Sequence, residues 1–427
     1  MELGITPENY GFGMQKKIEL LAPAGSFESL NAAIQAGADA VYFGASHLNM
    51  RAKSIHSFQL DDLHEIASLC RSHQVRTYLT LNTVMYDHDM NLIRTVLERV
   101  KEEGIDAVIA TDFAVLELCR QMQIPLHIST QANVSNVETV QFFSSFSDVI
   151  VLARELTLTQ TAHITREIVR RDIRGISGDL MRIEIFVHGA LCMAISGKCY
   201  LSLHEQNASA NRGACTQNCR RPYLVTDLET GNELLVDNEY IMSPKDLCTI
   251  HILDEIIDAG VQVLKIEGRG KSAEYVYTVT QCYREALQAI AEGTYTPEKI
   301  EVWMQRLRTV YNRGFWEGYY LGRHLGEWTR EPGSIATEKK VYIARGSNYF
   351  SKIGVAEFEM ESGTLKKGDA LLLIGRDLGA EKLQLEDLYV NGELAAEAKR
   401  GDKITFAFGR KVHKNDKLYK LVSEKHA

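Results

Sequence analysis

Between residues 18 and 268, eight short runs rich in β-branched and aromatic residues alternate with helix-like stretches. They read IELLAPA (18–24), ADAVYFG (38–44), RTYLTLN (76–82), DAVIATD (106–112), IPLHIST (124–130), DVIVLAR (148–154), RIEIFVHG (182–189) and VQVLKIEG (261–268). Stretches such as SFESLNAAIQAG and MNLIRTVLERVKEEG lie between them, the first set off by Ser26 as N-cap and Gly37 as C-cap. Strands that alternate with helices form parallel sheets, because each return to the sheet needs a crossover. Eight such units over about 250 residues are what a (β/α)8, TIM-like barrel needs. An open doubly wound sheet is the alternative, but no G-x-G-x-x-G follows the first strand.

A barrel would place its active site at the C-terminal ends of the strands. Those ends carry Pro23, Gly44, Asn82, Asp112, Gln131, Arg154, His188, Lys265, Glu267 and Arg269, a polar and chemically varied ring. Any one member alone is ordinary loop or cap chemistry. The connection after the seventh strand, about residues 190–260, is unusually long and holds four cysteines: Cys192, Cys199, Cys215 and Cys219. The fold expected is therefore an α/β barrel with a cysteine-rich insertion after strand seven, placed over the barrel mouth.

The C-x6-C-x15-C-x3-C spacing allows an iron–sulfur cluster, a four-thiolate zinc site, or disulfides and unrelated thiols. The start of the chain has no secretion-signal pattern and no run of about 18 apolar residues occurs, so a cytoplasmic, membrane-free protein is expected. A reducing compartment disfavours disulfides. Cys70, Cys119 and Cys282 lie in apolar helical stretches and read as packing residues, whereas Cys248 is ambiguous.

Residues 1–17 form an N-terminal extension, 18–330 the barrel, and 331–339 a linker. From 340 to 427 short alternating strands with Gly and Asn turns predict a small all-β barrel domain. The net charge of −8 excludes a wholly basic nucleic-acid binder, but charge is uneven. Residues 339–427 carry 17 Lys and Arg against 13 Asp and Glu, a net of +4, which leaves 31 against 43 elsewhere. Arg410, Lys411, Lys414 and Lys417 are the candidate phosphate-facing residues; a plain solvated surface is the other reading.

The stretch EIFVHGALCMAISGKCYLS (184–202) resembles the signature of the bacterial peptidase family U32. LLAPAGSFESLNAAIQAGADAVYFG, Asn49 with Arg51, LNT (81–83), SPKDL (243–247) and KIEGR (265–269) match too, so the resemblance covers about residues 18–330. The β domain is similar to the translation-factor-like barrel of some longer members. Better understood members are similar to oxygen-independent hydroxylation proteins acting on tRNA wobble uridine, ribosomal RNA cytidine or the ubiquinone ring. The resemblance implies a 4Fe–4S cluster on Cys192, Cys199, Cys215 and Cys219, prephenate as co-substrate, tRNA as substrate and 5-hydroxyuridine as product. A paralogous partner from the same family is a further implied possibility. Prephenate is a dicarboxylate, which suits forked guanidinium groups. Arg51, Arg154 and Arg269 are the candidates for holding it, and Glu267 and His188 for moving protons. Ribosomal RNA or quinone hydroxylation, a non-catalytic RNA-binding module and proteolysis are the rivals. The sequence offers no G-x-S-x-G and no H-E-x-x-H for the last of these.

Overall fold

The computed structural model describes residues 18–45, 48–50, 58–221, 225–226, 228–231, 233–234, 243–322, 327–329 and 333–424. Seven strands come first: β1 (Glu19–Pro23), β2 (Ala40–Phe43), β3 (Arg76–Leu81), β4 (Ala107–Ala110), β5 (Leu126–Ile128), β6 (Val149–Val151) and β7 (Arg182–Gly189). A short strand β8 (Asp246–Cys248) precedes β9 (Val263–Ile266). β1 through β7 pair in parallel sequence order, and β9 pairs in parallel with both β7 and β1. This closes an eight-stranded parallel barrel, and its strands are the eight runs singled out above.

Helices α1 (Phe27–Gln35), α2 (Leu63–Ser72), α3 (Met90–Glu103), α4 (Phe113–Met122), α5 (Val137–Phe143) and α6 (Leu158–Arg170) pack outside. α7 (Leu201–Gln206) lies in the insertion, and α8 (Leu253–Asp258), α9 (Ala273–Ala291) and α10 (Pro297–Thr309) follow. α1 forms as expected at its start, where the Ser26 side chain accepts from the Ser29 backbone N–H in a capping box. Its C-cap is Ala36 rather than Gly37, which takes the next position with φ of +82°.

Two apolar layers follow from strand alternation. Outward-facing residues form one large core with the helices, for example Leu20, Val41, Leu79, Val108 and Ile150. Leu21, Ala40, Tyr42, Tyr78, Ala107, Ile109, Val149 and Val263 form a separate cluster in the barrel lumen. The lumen also contains charge. At the base, buried Glu19 accepts from Tyr78 Oη (2.6 Å), Arg76 (2.7 Å) and Arg182 (2.5 Å).

β8 pairs antiparallel with the end of β7, Leu247 opposite Gly189 and Cys248 opposite His188. It also pairs in parallel with β10 (Phe315–Trp316). This two-strand flange was not foreseen.

The C-terminal part is antiparallel: β11 (Glu338–Phe350), β12 (Val355–Met360), β13 (Ala370–Gly375), β14 (Gly379–Gln384), β15 (Tyr389–Val390), β16 (Glu393–Leu394), β17 (Lys403–Ala407) and β18 (Lys417–Ser423). Their order is β14-β13-β18-β11-β12-β17-β15-β16, wrapped round one core that includes Ile343, Phe358, Leu371, Phe406 and Leu418. Its end strands β14 and β16 are not paired with each other among the described residues, so the sheet curls without hydrogen-bonded closure.

The β domain docks on α1 and α9. Ala32, Ala273, Leu372 and Ala380 share a small apolar cluster, and Asn31 and Gln35 donate to Arg376 O (2.8 Å) and Leu378 O (2.7 Å). Arg376 also pairs with Glu65 (2.6 Å) and lies 3.8 Å over the Phe27 ring. Of the basic residues proposed for phosphate, Arg410 pairs with Glu381 (2.8 Å), whereas Lys411, Lys414 and Lys417 are exposed. Among the described residues no helix is long and apolar enough to cross a membrane.

Candidate active site

The lumen rises from Glu19 to a second buried charge, Glu184 on β7, which is fully buried. Lys265 Nζ on β9 lies 2.7 Å from Glu184 Oε1, and His127 Nδ1 lies 3.6 Å from Oε2. Burial pushes the Glu184 carboxyl up, but Lys265 and His127 outweigh it and bring it down to about 2. The lysine ammonium also lies 4.5 Å from the Tyr42 ring centroid and 5.4 Å from that of Phe186. Lys265 is therefore spent on the lumen, where it fixes the two rings that floor the mouth.

Two guanidinium groups stand on that floor. Arg154, half-buried after β6, places Cζ 3.7 Å over the Phe186 ring and donates Nη1 to Ala190 O (3.0 Å). Its Nε is buried with no hydrogen-bond partner among the described residues. Arg269, buried after β9, donates Nη1 to Asn49 Oδ1 (3.0 Å) and Thr80 Oγ1 (2.6 Å), both neutral oxygens. Two motif glycines make this possible. A Cβ on Gly25 would sit 1.9 Å from Arg269 O, and one on Gly44 would sit 2.5 Å from Asn49 Cγ. The strand-one loop thus lies directly on the Arg269 backbone, and Asn49 folds against β2 to meet the guanidinium.

Glu267 is half-buried beside them. Tyr42 Oη lies 3.1 Å from Glu267 Oε2 and 2.9 Å from Ile266 O. Burial, with Glu267 nearby, raises the Tyr42 phenol well above its ordinary range, with Arg269 and Arg154 opposing. Glu267, Arg154 and Arg269 are therefore each within electrostatic reach of Tyr42. The phenol stays protonated and can donate; the carboxylate can accept.

His188 is not brought to this group. The β7–β9 register shifts between Lys265 and Ile266, which breaks simple alternation at the end of β7. The buried His188 ring packs against Tyr275, Tyr283 and Phe315, with Nδ1 3.4 Å from Tyr283 Oη. Burial, aided by Lys271, lowers it to about 3, so it is neutral at ordinary pH and serves packing. Arg51 lies outside the described residues.

The cysteine-bearing segment leaves β7 and crosses the loops above the barrel. Val84, after β3, donates its backbone N–H to Asn211 O (3.0 Å), and Arg212 donates to Val84 O (2.7 Å) and Asp89 (2.6 Å). Gly197 approaches Gln131, which follows β5. Cys192 and Cys215 are exposed, and Cys199 and Cys219 partly so. The Cys219 thiol is pushed up by burial, opposed by Arg220, with Cys192, Cys215 and Cys199 each adding to the rise. Cys219 is thus within electrostatic range of each of the other three thiols. Among the described residues, no three Cys, His, Asp or Glu side chains come together as a site for one metal ion.

Sequence reasoning missed Arg220. It donates to Leu191 O (2.6 Å), next to Cys192, and to Ser243 Oγ (3.1 Å) and Pro244 O (2.8 Å) of the SPKDL stretch. It ties both ends of the cysteine segment to the strand that follows. Its position directly after a cysteine was the available signal. The other four cysteines are buried in apolar packing; burial raises Cys248 to about 11 and Cys70, Cys119 and Cys282 to about 12.

Comparison with known proteins now decides the family. The family described as Peptidase family U32 matches residues 25–330. The chain belongs to peptidase family U32. It is 52% identical over 403 residues to a Porphyromonas gingivalis protein named collagenase, covering 94% of this chain and 97% of that one. A second relative, tRNA hydroxylation protein P1 of Bacillus subtilis, is 33% identical over 367 residues, 80% of this chain and 83% of the relative. The 23S rRNA 5-hydroxycytidine C2501 synthase of Escherichia coli is 37% identical over 278 residues, 65% of this chain and 40% of that protein.

Proposed function

We propose that this U32 protein hydroxylates RNA without molecular oxygen, converting tRNA wobble uridine to 5-hydroxyuridine with prephenate as co-substrate, in the cytoplasm. The names of the Bacillus and Escherichia relatives support RNA hydroxylation. The observation that carries the site is Arg154: a guanidinium stacked on Phe186, with a buried Nε left unpartnered among the described residues. A buried donor without a partner is costly unless a ligand completes it. With Arg269 close by, the floor suits a ligand bearing two carboxylates.

Each side chain then has a job. Arg154 and Arg269 bind and orient the dicarboxylate, and Arg51 is a third candidate. Glu267 and the Tyr42 hydroxyl form a proton-holding pair at the rim. Phe186 and Tyr42, both buried, support Arg154 and Lys265 from below. A base must leave its stack to reach the barrel mouth. Cys192, Cys199, Cys215 and Cys219 would hold a 4Fe–4S cluster by their donor chemistry, four thiols in one loop segment over the barrel mouth. When bound, such a cluster supplies electrons or polarises an oxygen-bearing ligand. Arg220 holds the loop ends that carry the thiols. A paralogous U32 partner is compatible with this arrangement.

Anaerobically purified protein is expected to be brown with about four irons. Cys215→Ala should bleach it and Cys248→Ala should not. A colourless protein loaded with zinc would defeat the cluster assignment. Nucleoside mass spectrometry of tRNA tests the activity itself. A second reading, proteolysis, is favoured by the name of the 52%-identical relative. It requires a defined cleavage product that disappears when a single nucleophile is replaced.

A further inference from the structure

The loops above the barrel present rings to solvent. Tyr200, at the start of α7, is 77% exposed, and Tyr86, in the loop after β3, is 51% exposed. Arg212 Cζ lies 4.2 Å over the Tyr86 ring, and its clamp on Asp89 and Val84 O fixes that stack. Beside the cysteines, Met193 and Ile195 are also exposed. Charge is concentrated here as well. Residues 190–221 carry Lys198, Arg212, Arg220 and Arg221 against Glu205 alone, a net of +3 within a chain of −8. Glu205 and Asp89 take up part of it, through Arg221 (3.5 Å) and Arg212.

Rigid ring faces edged by cations are what unpaired nucleotides need. Every base has a face to stack, and the phosphates meet the cations.

We propose that this insertion surface, and not the basic strip of the β domain, holds the RNA, and that it selects a single-stranded loop. Bases stack on Tyr86 and Tyr200, with Lys198 and Arg221 facing phosphates. The placement is economical for the site below. The insertion contacts the loops after β3 and β5, at the end of the barrel that carries Arg154 and Arg269. In the β domain Arg410 and Lys420 are likewise paired, with Glu381 and Asp369, while Lys411, Lys414 and Lys417 are exposed; what sets the insertion apart is the greater exposure of its rings. The inference rests on the reading of this protein as one that acts on RNA.

The test is fluorescence anisotropy with the full chain and a labelled anticodon stem–loop, beside the same strand annealed to its complement. Tyr200→Ala and Tyr86→Ala should each weaken stem–loop binding about tenfold and leave duplex binding nearly unchanged. Tyr200→Phe should bind as wild type, because the ring is retained. Tyr200 is so exposed that its replacement leaves the fold intact, which circular dichroism will verify. If both alanine variants bind like wild type while Lys411→Ala/Lys414→Ala/Lys417→Ala loses affinity, the surface is wrong and the RNA reading stands. If wild type binds neither RNA, both fall. If Tyr200→Ala instead dissolves a dimer seen by sedimentation, with RNA affinity unchanged, a second copy covers this face and the inference is overturned.

Discussion

Lys265→Ala is expected to destabilise the barrel by about 3–5 kcal/mol, because it strands a carboxylate in the lumen. Glu184 is fully buried, and its Oε1 is held by Lys265 at 2.7 Å. His127, 3.6 Å from the other oxygen, is too far to replace that bond. For a domain of this size the loss corresponds to a fall in Tm of roughly 5–8 °C. Replacing both partners by apolar residues, Glu184→Leu with Lys265→Met, should recover much of it, since the desolvation cost disappears with the charges. The pH dependence has a definite sign. Glu184 is depressed to about 2 in the folded protein, against about 4.3 in an unfolded chain. Its stabilisation is complete above the unfolded value and is lost as pH falls from there toward 2. Thermal melts between pH 7 and 3 should show this acid-labile increment in wild type and a smaller one in Lys265→Ala. Equal melts for the two proteins at pH 7 would mean that the pair contributes nothing.

Arg269→Lys is expected to lower kcat/KM for the dicarboxylate about 100-fold, with folding little affected. A lysine keeps the charge but offers a single point, not a fork. It cannot satisfy Asn49 Oδ1 and Thr80 Oγ1 together and still present a flat donor edge to a carboxylate. Loss of charge-assisted hydrogen bonds worth about 1.5–3 kcal/mol sets the scale. The change should appear mainly in KM for prephenate. Steady-state assays on purified protein and isolated tRNA would show it. Wild-type kinetics in this variant would remove Arg269 from the binding floor.

The barrel was legible because its strands are short, apolar and regularly interleaved with helices whose caps can be read. The cysteines stood out by local density, and Arg154, Glu267 and Arg269 by position at strand ends. What remained hidden depended on closure and register. Glu184 and Lys265 are single charges within apolar strands, 81 positions apart, and only the pairing of β7 with β9 joins them. His188 was misplaced because sequence alternation takes no account of the register shift beside it. The flange strand Asp246–Cys248 has three residues, too few to show a period. The β domain was read as a barrel from its turns, but turns do not reveal whether the two end strands meet.

Nucleoside mass spectrometry of bulk tRNA reads out RNA hydroxylation at the barrel mouth itself. The source organism would be compared with the gene deleted, restored, and restored with Arg269→Lys or Cys192→Ala. 5-Hydroxyuridine and its derivatives are expected to fall on deletion, return with the wild-type gene, and stay low with either variant. Unchanged 5-hydroxyuridine on deletion, in a strain from which any paralogous gene has also been removed, would contradict RNA hydroxylation at this site.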